Sequence, residues 1–314
     1  MADDGPPRMA VLTNPRARRN RRNPRRIESL RAILGDLGDV FAPDGFDALQ
    51  EVLQVLRQQE VQLLVVDGGD GTLHRVLTGV CHAWGDAPWP QFAILRSGTM
   101  NIVAASIGAR GRPDQALRRL VHALREGHSL DKTRRWALRV DDRLGFIFGN
   151  GIVARYLEVH YEGGGSPLNA ARLLGLGALS ALVGGPLSRR LTRPWHGELV
   201  LDGASYGRRD WTAVAIGTVE QIGLGFRPFP DVATHPGKAQ VVQVGAGVGT
   251  LAMDLHNILL GRHLQRPGNR TTLANTIELH GRDGLDYMLD GDFYRGAPTV
   301  VITTERPVEF VLPA

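Results

Sequence analysis

Val65-Val66-Asp67-Gly68-Gly69-Asp70-Gly71-Thr72 reads as a buried strand that runs through a glycine-rich turn into a helix. Its apolar lead, residues 63–67, is continuous rather than alternating, as in strands covered on both faces of a parallel sheet. Glycines let backbone N–H groups come close to a phosphate, and a helix N-terminus adds a favourable field for an anion. Asp70, at the carboxyl end of the strand, is placed to orient metal-bound phosphates or a hydroxyl. A plain strand-to-helix turn capped by Asp70 or Thr72 would use the same residues, so the flanking sequence has to decide.

Outward from this stretch the first third of the chain keeps one rhythm. Residues 9–13 form an apolar strand that stops at Asn14-Pro15. Phe46, Leu49, Val52, Leu53 and Leu56 recur at helical spacing after Asp44-Gly45. A helix is expected from Thr72 to about His82. Residues 91–95 make another strand, which leads through Arg96-Ser97-Gly98 into a helix near Asn101. Pro113 opens a further helix with Ala116, Leu117, Leu120, Val121 and Leu124 on one face. Such βαβα alternation predicts a Rossmann-like, mostly parallel α/β domain. Three strand ends then carry small polar residues where open α/β sheets bind ligands, outside their carboxyl edges.

The rhythm changes near residue 130. Trp136, Leu138 and Val140 alternate with Ala137 and Arg139, and Asp141-Asp142-Arg143 turns the chain into a return strand over 144–148. Further strand signals lie at 197–203, 211–217, 241–244, 277–289 and 299–303. The expected organisation is an α/β domain over 1–133 and an antiparallel, β-sandwich-like domain over 134–299.

With 314 residues, 43% of them hydrophobic and 22% charged, the composition is that of an ordinary globular protein. The net charge of +5 favours an anionic partner without choosing among phosphorylated ligands, nucleic acid and acidic membranes. A single cysteine, Cys81, excludes an intrachain disulfide and suits a reducing cytosol. Residues 1–8 have no apolar stretch and do not read as a signal peptide. The longest apolar stretch, 173–187, is too short to span a bilayer. A cytoplasmic protein, or one peripheral to the inner membrane face, is expected.

The motifs resemble the diacylglycerol kinase catalytic-domain family, which includes bacterial lipid kinases and sphingosine kinases and is related to NAD kinases. The family's Asn-Pro, Gly-Gly-Asp-Gly-Thr and Pro-x-Gly-Thr-x-Asn segments look matched at Asn14-Pro15, at Gly68-Gly69-Asp70-Gly71-Thr72 and at Arg96-Ser97-Gly98-Thr99-Met100-Asn101. Its late Asp-Gly-Glu is similar to Asp290-Gly291-Asp292. The resemblance implies an NAD kinase-like nucleotide domain, a lipid-facing β-rich domain, and a C-terminal tail, about 300–314, that returns to the first domain. It implies ATP and Mg²⁺ as cofactors and a diacylglycerol-like or sphingoid lipid as substrate, the alternatives being NAD kinase-like activity or a catalytically impaired nucleotide- or lipid-binding protein of the same fold. Asn14, Gly68, Gly69, Asp70, Gly71, Thr72, Ser97, Gly98, Thr99 and Asn101 would hold the nucleotide. Asp290 would be the general base, with Asp70 also catalytic, and Asp70 with Asp292 would hold the metal. Read from residues alone, Asp290-Gly291-Asp292 is a solvated hairpin turn before it is a catalytic pair.

Three positions depart from the family pattern. Arg75 stands where a glutamate is common, Arg96 replaces a proline, and Pro236 replaces an aspartate of a metal loop. The seven arginines between residues 16 and 26 read either as a clamp for phosphates or anionic head groups, or as a solvated basic loop. Residues 168–187, apolar around most of a helix, would line an acyl channel, lie at a membrane interface, or form a plain buried helix. Gly245-Ala246-Gly247-Val248-Gly249 reads as a packing turn. Transient membrane contact and a homodimer stay open, and no nucleic acid is expected, because few aromatic residues interleave the arginines.

Overall fold

The computed structural model describes residues 8–162, 193–222, 225–245 and 248–312. The apolar stretch 168–187 and Ala246-Gly247 of the packing turn lie outside the described residues. The chain divides into two compact units, Met1–Arg135 with Pro307–Ala314, and Trp136–Arg306.

In the first unit the chain runs β1 (Met9–Thr13), α1 (Arg26–Leu34), β2 (Gly38–Phe41), α2 (Phe46–Gln58), β3 (Leu63–Gly68), α3 (Asp70–Trp84), β4 (Gln91–Arg96), α4 (Ile102–Ser106) and α5 (Pro113–Arg125). The strands pair in parallel in the order β2-β1-β3-β4. Every residue of β1 and β3 is buried, which is why their sequences are continuously apolar. Alternate side chains take opposite faces. Met9, Val11, Leu63, Val65, Ala93 and Leu95 pack in one core with Leu30 and Leu34 of α1 and Leu117 and Leu120 of α5. On α5 the buried residues Ala116, Leu117, Leu120 and Val121 follow a proline in the first turn, as their spacing predicts. Residues 26–41 received no element from the sequence, yet they form α1 and β2.

Because β1 leads to β2 on one side and the chain next enters β3 on the other, the sheet order reverses at β1/β3. This is the switch point at which open α/β sheets leave a crevice beyond their strands' carboxyl ends.

The second unit is antiparallel and strand-rich. It takes in the end of β5 (Asp131–Val140), then β6 (Arg143–Gly145), β7 (Ile147–Gly151), α6 (Ile152–Glu162), β8 (Trp195–Leu201), β9 (Ala204–Trp211), β10 (Ala213–Gly217), β11 (Ala239–Val244), α7 (Val248–Leu259), β12 (Asn269–Ala274), β13 (Thr276–Leu289) and most of β14 (Asp292–Leu312). The order β12-β11-β10-β7-β13-β14 is antiparallel at each of its pairings. β13 changes partner along its length, pairing with β8 over its first half and β7 over its last residues, with a register shift between. Trp211, Phe148, Leu199, Ile277, Leu289 and Ile302 belong to one buried core. β14 passes from this unit back to the first, where Phe310 lies beside Phe92 of β4 in parallel register.

Candidate functional site

Asp67, the last but one residue of β3, has no solvent contact. Its carboxylate accepts hydrogen bonds from the Thr13 hydroxyl at 2.7 Å, the Asn20 amide at 2.9 Å, the Ser97 hydroxyl at 2.5 Å, and Arg26 in a two-point bond at 2.9 and 2.8 Å. Arg26 is itself buried and also bonds Asp114. Burial opposes its charge, but the two paired carboxylates outweigh that, and the guanidinium is held above its ordinary value. A buried charge survives only when paired and hydrogen-bonded, and here the pairing gathers the ends of β1 and β4 and the arginine-rich segment around the end of β3. Sequence reasoning missed Asp67, Asn20 and Arg26 as a group. Their separations of 41 and 47 residues leave no local pattern.

Around this hub the expected nucleotide residues of the first unit come together. The Asn14 side chain donates to the Thr72 hydroxyl at 3.0 Å, and its own oxygen accepts the Arg16 backbone N–H at 2.9 Å. Helix α3 begins at Asp70, with Gly69 as N-cap, so Asp70, Gly71 and Thr72 form its first turn rather than a loop before it. Gly69 and Gly98 touch back to back: a Cβ on Gly98 would fall 2.3 Å from the Gly69 Cα. The two glycine segments thus pack as a pair. Asn101, in left-handed conformation with φ 52°, closes the second segment by bonding the Gly98 N–H and C=O, each at 3.0 Å. Ser97 is turned inward, fully buried, with its hydroxyl on Asp67. Thr99 is half-buried between them.

The Asp70 carboxylate accepts the Val103 N–H at 3.0 Å and so joins the head of α3 to α4. Crowding by protein atoms pushes this carboxyl up, only partly offset by backbone N–H groups at Val103, Ile102 and Asn101. A group so placed gains from a nearby cation.

A cleft of about 610 Å³ opens here, lined by Arg18, Arg19, Arg22 and Arg96 with residues 98–101. Arg75 is exposed on α3.

Residues 8–131 match the diacylglycerol kinase catalytic domain family. The family resemblance seen in the motifs of the first unit is therefore met by its family model. Two solved structures from Bacillus anthracis str. Sterne align over 98% of this chain and 97% of theirs. One has a TM-score of 0.72 at 16% identity, and the other, a diacylglycerol kinase, 0.64 at 15%. An NAD kinase from Archaeoglobus fulgidus, solved in complex with ATP, aligns at TM-score 0.51 and 11% identity over 97% of this chain and 94% of its own. At these identities the likeness shows a shared fold. No curated protein matches the chain.

In the second unit, the Asp290-Gly291-Asp292 turn joins β13 and β14. Asp290 is buried and in left-handed conformation, with φ 47°. Its carboxylate accepts the backbone N–H groups of Phe146, at 3.0 Å to either oxygen, and of Ile147 at 2.9 Å. Asp290 thus clamps the β6–β7 junction, whatever chemistry it also does, and the turn is not simply solvated. Asp292 is half-buried. Nearby in this unit, burial pushes the Tyr287 phenol up to about 12, helped by the Asp141 charge, so the phenol stays protonated near neutrality.

Among the described residues no three His, Cys, Asp or Glu side chains group as a metal cage. Mg²⁺ commonly rests on one or two carboxylates plus substrate phosphates, and Asp70 fits that lesser role. At the metal-loop segment, His263 bonds the Asp231 carboxylate at 2.8 Å and Gln240 bonds it at 3.0 Å, so protein donors occupy it. No helix among the described residues is long and apolar enough to cross a membrane.

Proposed function

We propose that this protein is a lipid kinase that transfers the γ-phosphoryl group of ATP to a hydroxyl of diacylglycerol or a related glycero- or sphingoid lipid. The observation that carries the reading is the convergence of Asn14, Gly69–Thr72 and Gly98–Asn101 at the carboxyl ends of β1, β3 and β4, beside the switch point. The match of residues 8–131 to the diacylglycerol kinase domain supports the reaction class, and the ATP complex of a similarly folded NAD kinase supports the nucleotide.

Phosphoryl transfer asks little covalent chemistry of a protein; it asks for positioning and for charge to be neutralised. The first turn of α3 offers the positive end of the helix dipole to an anion. The paired glycines keep side chains away from that surface. Asn14 and Asn101 fix the two flanking loops through their own backbones. Asp70 would hold Mg²⁺, which supplies charge neutralisation on the phosphates when bound. Asp290 is assigned the acceptor hydroxyl's proton, taken late, because an alkyl hydroxyl is a very weak acid.

Transfer of labelled γ-phosphate from Mg-ATP to dispersed diacylglycerol, monoacylglycerol, ceramide, sphingosine and NAD tests this. We expect a labelled lipid that falls at least about a hundredfold in Asp70→Asn. Label on NAD alone would reassign the acceptor. ATP binding with no transfer to any acceptor would sink the kinase reading.

A further inference from the structure

The exposed arginines after β1 have no part in the three loops described above, yet three of them line the cleft beside residues 98–101. Their segment is anchored between them. Ala17 and Asn20 are buried, the Arg21 N–H bonds the Ala17 carbonyl at 3.0 Å, and the Arg19 N–H bonds the Ser97 carbonyl at 3.2 Å. Asn20 and Arg26 tie the same segment to Asp67. What hangs from this scaffold differs in charge balance from its neighbours. Arg16 is paired with Asp44, and Arg26 with Asp67 and Asp114, whereas among the described residues no ion pair joins Arg18, Arg19 or Arg22 to a carboxylate. Arg96 contributes a fourth guanidinium from the end of β4.

Four positive groups converging on one cleft repel each other, and an anion of matching charge relieves that. A triphosphate chain carries about four negative charges near neutrality, and guanidinium forks bond phosphate oxygens at two points. We infer that this arginine cleft takes the phosphate chain of the nucleotide by guanidinium charge, so that binding does not require a divalent cation. The inference rests on the nucleotide reading proposed above. It goes beyond it in assigning Arg18, Arg19, Arg22 and Arg96 and in separating binding from Mg²⁺.

Titration calorimetry on the full chain in EDTA, with ATP and with inorganic tripolyphosphate, tests the idea. Both should bind at one site, and added Mg²⁺ should change ATP affinity by less than about threefold. Arg18→Gln and Arg22→Gln, at exposed positions, should each weaken tripolyphosphate about tenfold. Arg21→Gln and Arg25→Gln, outside the cleft, should leave it unchanged. ATP binding that appears only with Mg²⁺ overturns the inference while the nucleotide reading stands. Equal weakening by all four substitutions also overturns it, since that means diffuse attraction rather than a site. No ATP binding with or without Mg²⁺ removes the nucleotide reading and the inference together.

Discussion

Asp67 and Arg26 are ions held away from water, and each depends on the other to remain so. Replacing one leaves the other charge buried, which typically costs about 3–5 kcal/mol. Asp67→Asn should therefore lower unfolding free energy by about 3 kcal/mol in denaturant titration, and Asp67→Asn with Arg26→Met should recover a measurable part of it. Strict additivity of the two would mean that the pair is not coupled. Asp70 behaves in the opposite sense. Its carboxyl is raised by burial, so the fold favours its protonated form. That contribution is complete below the ordinary carboxylate value and is lost as pH rises through the higher folded value. Without nucleotide or metal, Asp70→Asn should be more stable than wild type at pH 8 and equal to it near pH 3. A constant gap across that range would contradict the shift. At Asp290, asparagine offers a single acceptor oxygen to the amides of Phe146 and Ile147 and turns two donors toward them. Asp290→Asn should cost about 1–3 kcal/mol in stability as well as lowering transfer; unchanged unfolding would remove its role as a clamp.

At the level of elements, the two glycine segments are coupled by the Gly69–Gly98 contact and by the Ser97 and Gly98 N–H groups, which both donate to the Gly68 carbonyl at 3.1 Å. Gly98→Ala would drive a Cβ into the Gly69 backbone, so one segment must move. The expected result is about 1–3 kcal/mol of destabilisation together with weaker ATP binding, read by thermal unfolding and calorimetry. Wild-type ATP affinity in a folded Gly98→Ala protein would show that the segments act separately. The strand ends were legible because the apolar runs of β1, β3 and β4 stop at Asn14-Pro15, at Gly68-Gly69 and at Arg96-Ser97-Gly98. The amphipathic spacing of α2 and α5 was equally plain. By contrast, α1 starts with a buried arginine inside a basic run, and β2 is four residues long with only Val40 buried, so neither shows a period. Ser97 was legible as a residue of the site but not in its task. Its hydroxyl turns to an aspartate 30 positions earlier, a partner that only the folded sheet brings close.

On the scale of the molecule, the first unit is assembled from both ends of the described chain. Phe310 and Phe92 are fully buried and tilted against each other at 6.1 Å, with Val308 and Val311 buried beside them. Phe310→Ala should cost about 3–5 kcal/mol, and amide exchange should rise along β4 in the first unit. Protection of β4 that matches wild type would mean the returning strand adds nothing to it. This connectivity also has a consequence in time. Residues 136–306 are translated between β4 and the part of β14 that lies against it. At the ~5–20 residues per second of synthesis, that takes roughly ten to thirty seconds. Through that interval the growing chain carries β4 as an open edge with Phe92 uncovered, the kind of surface that invites pairing with other chains. How safely this protein is made therefore depends on the pace of the ribosome through its second unit, a property that no equilibrium measurement on the finished chain would detect.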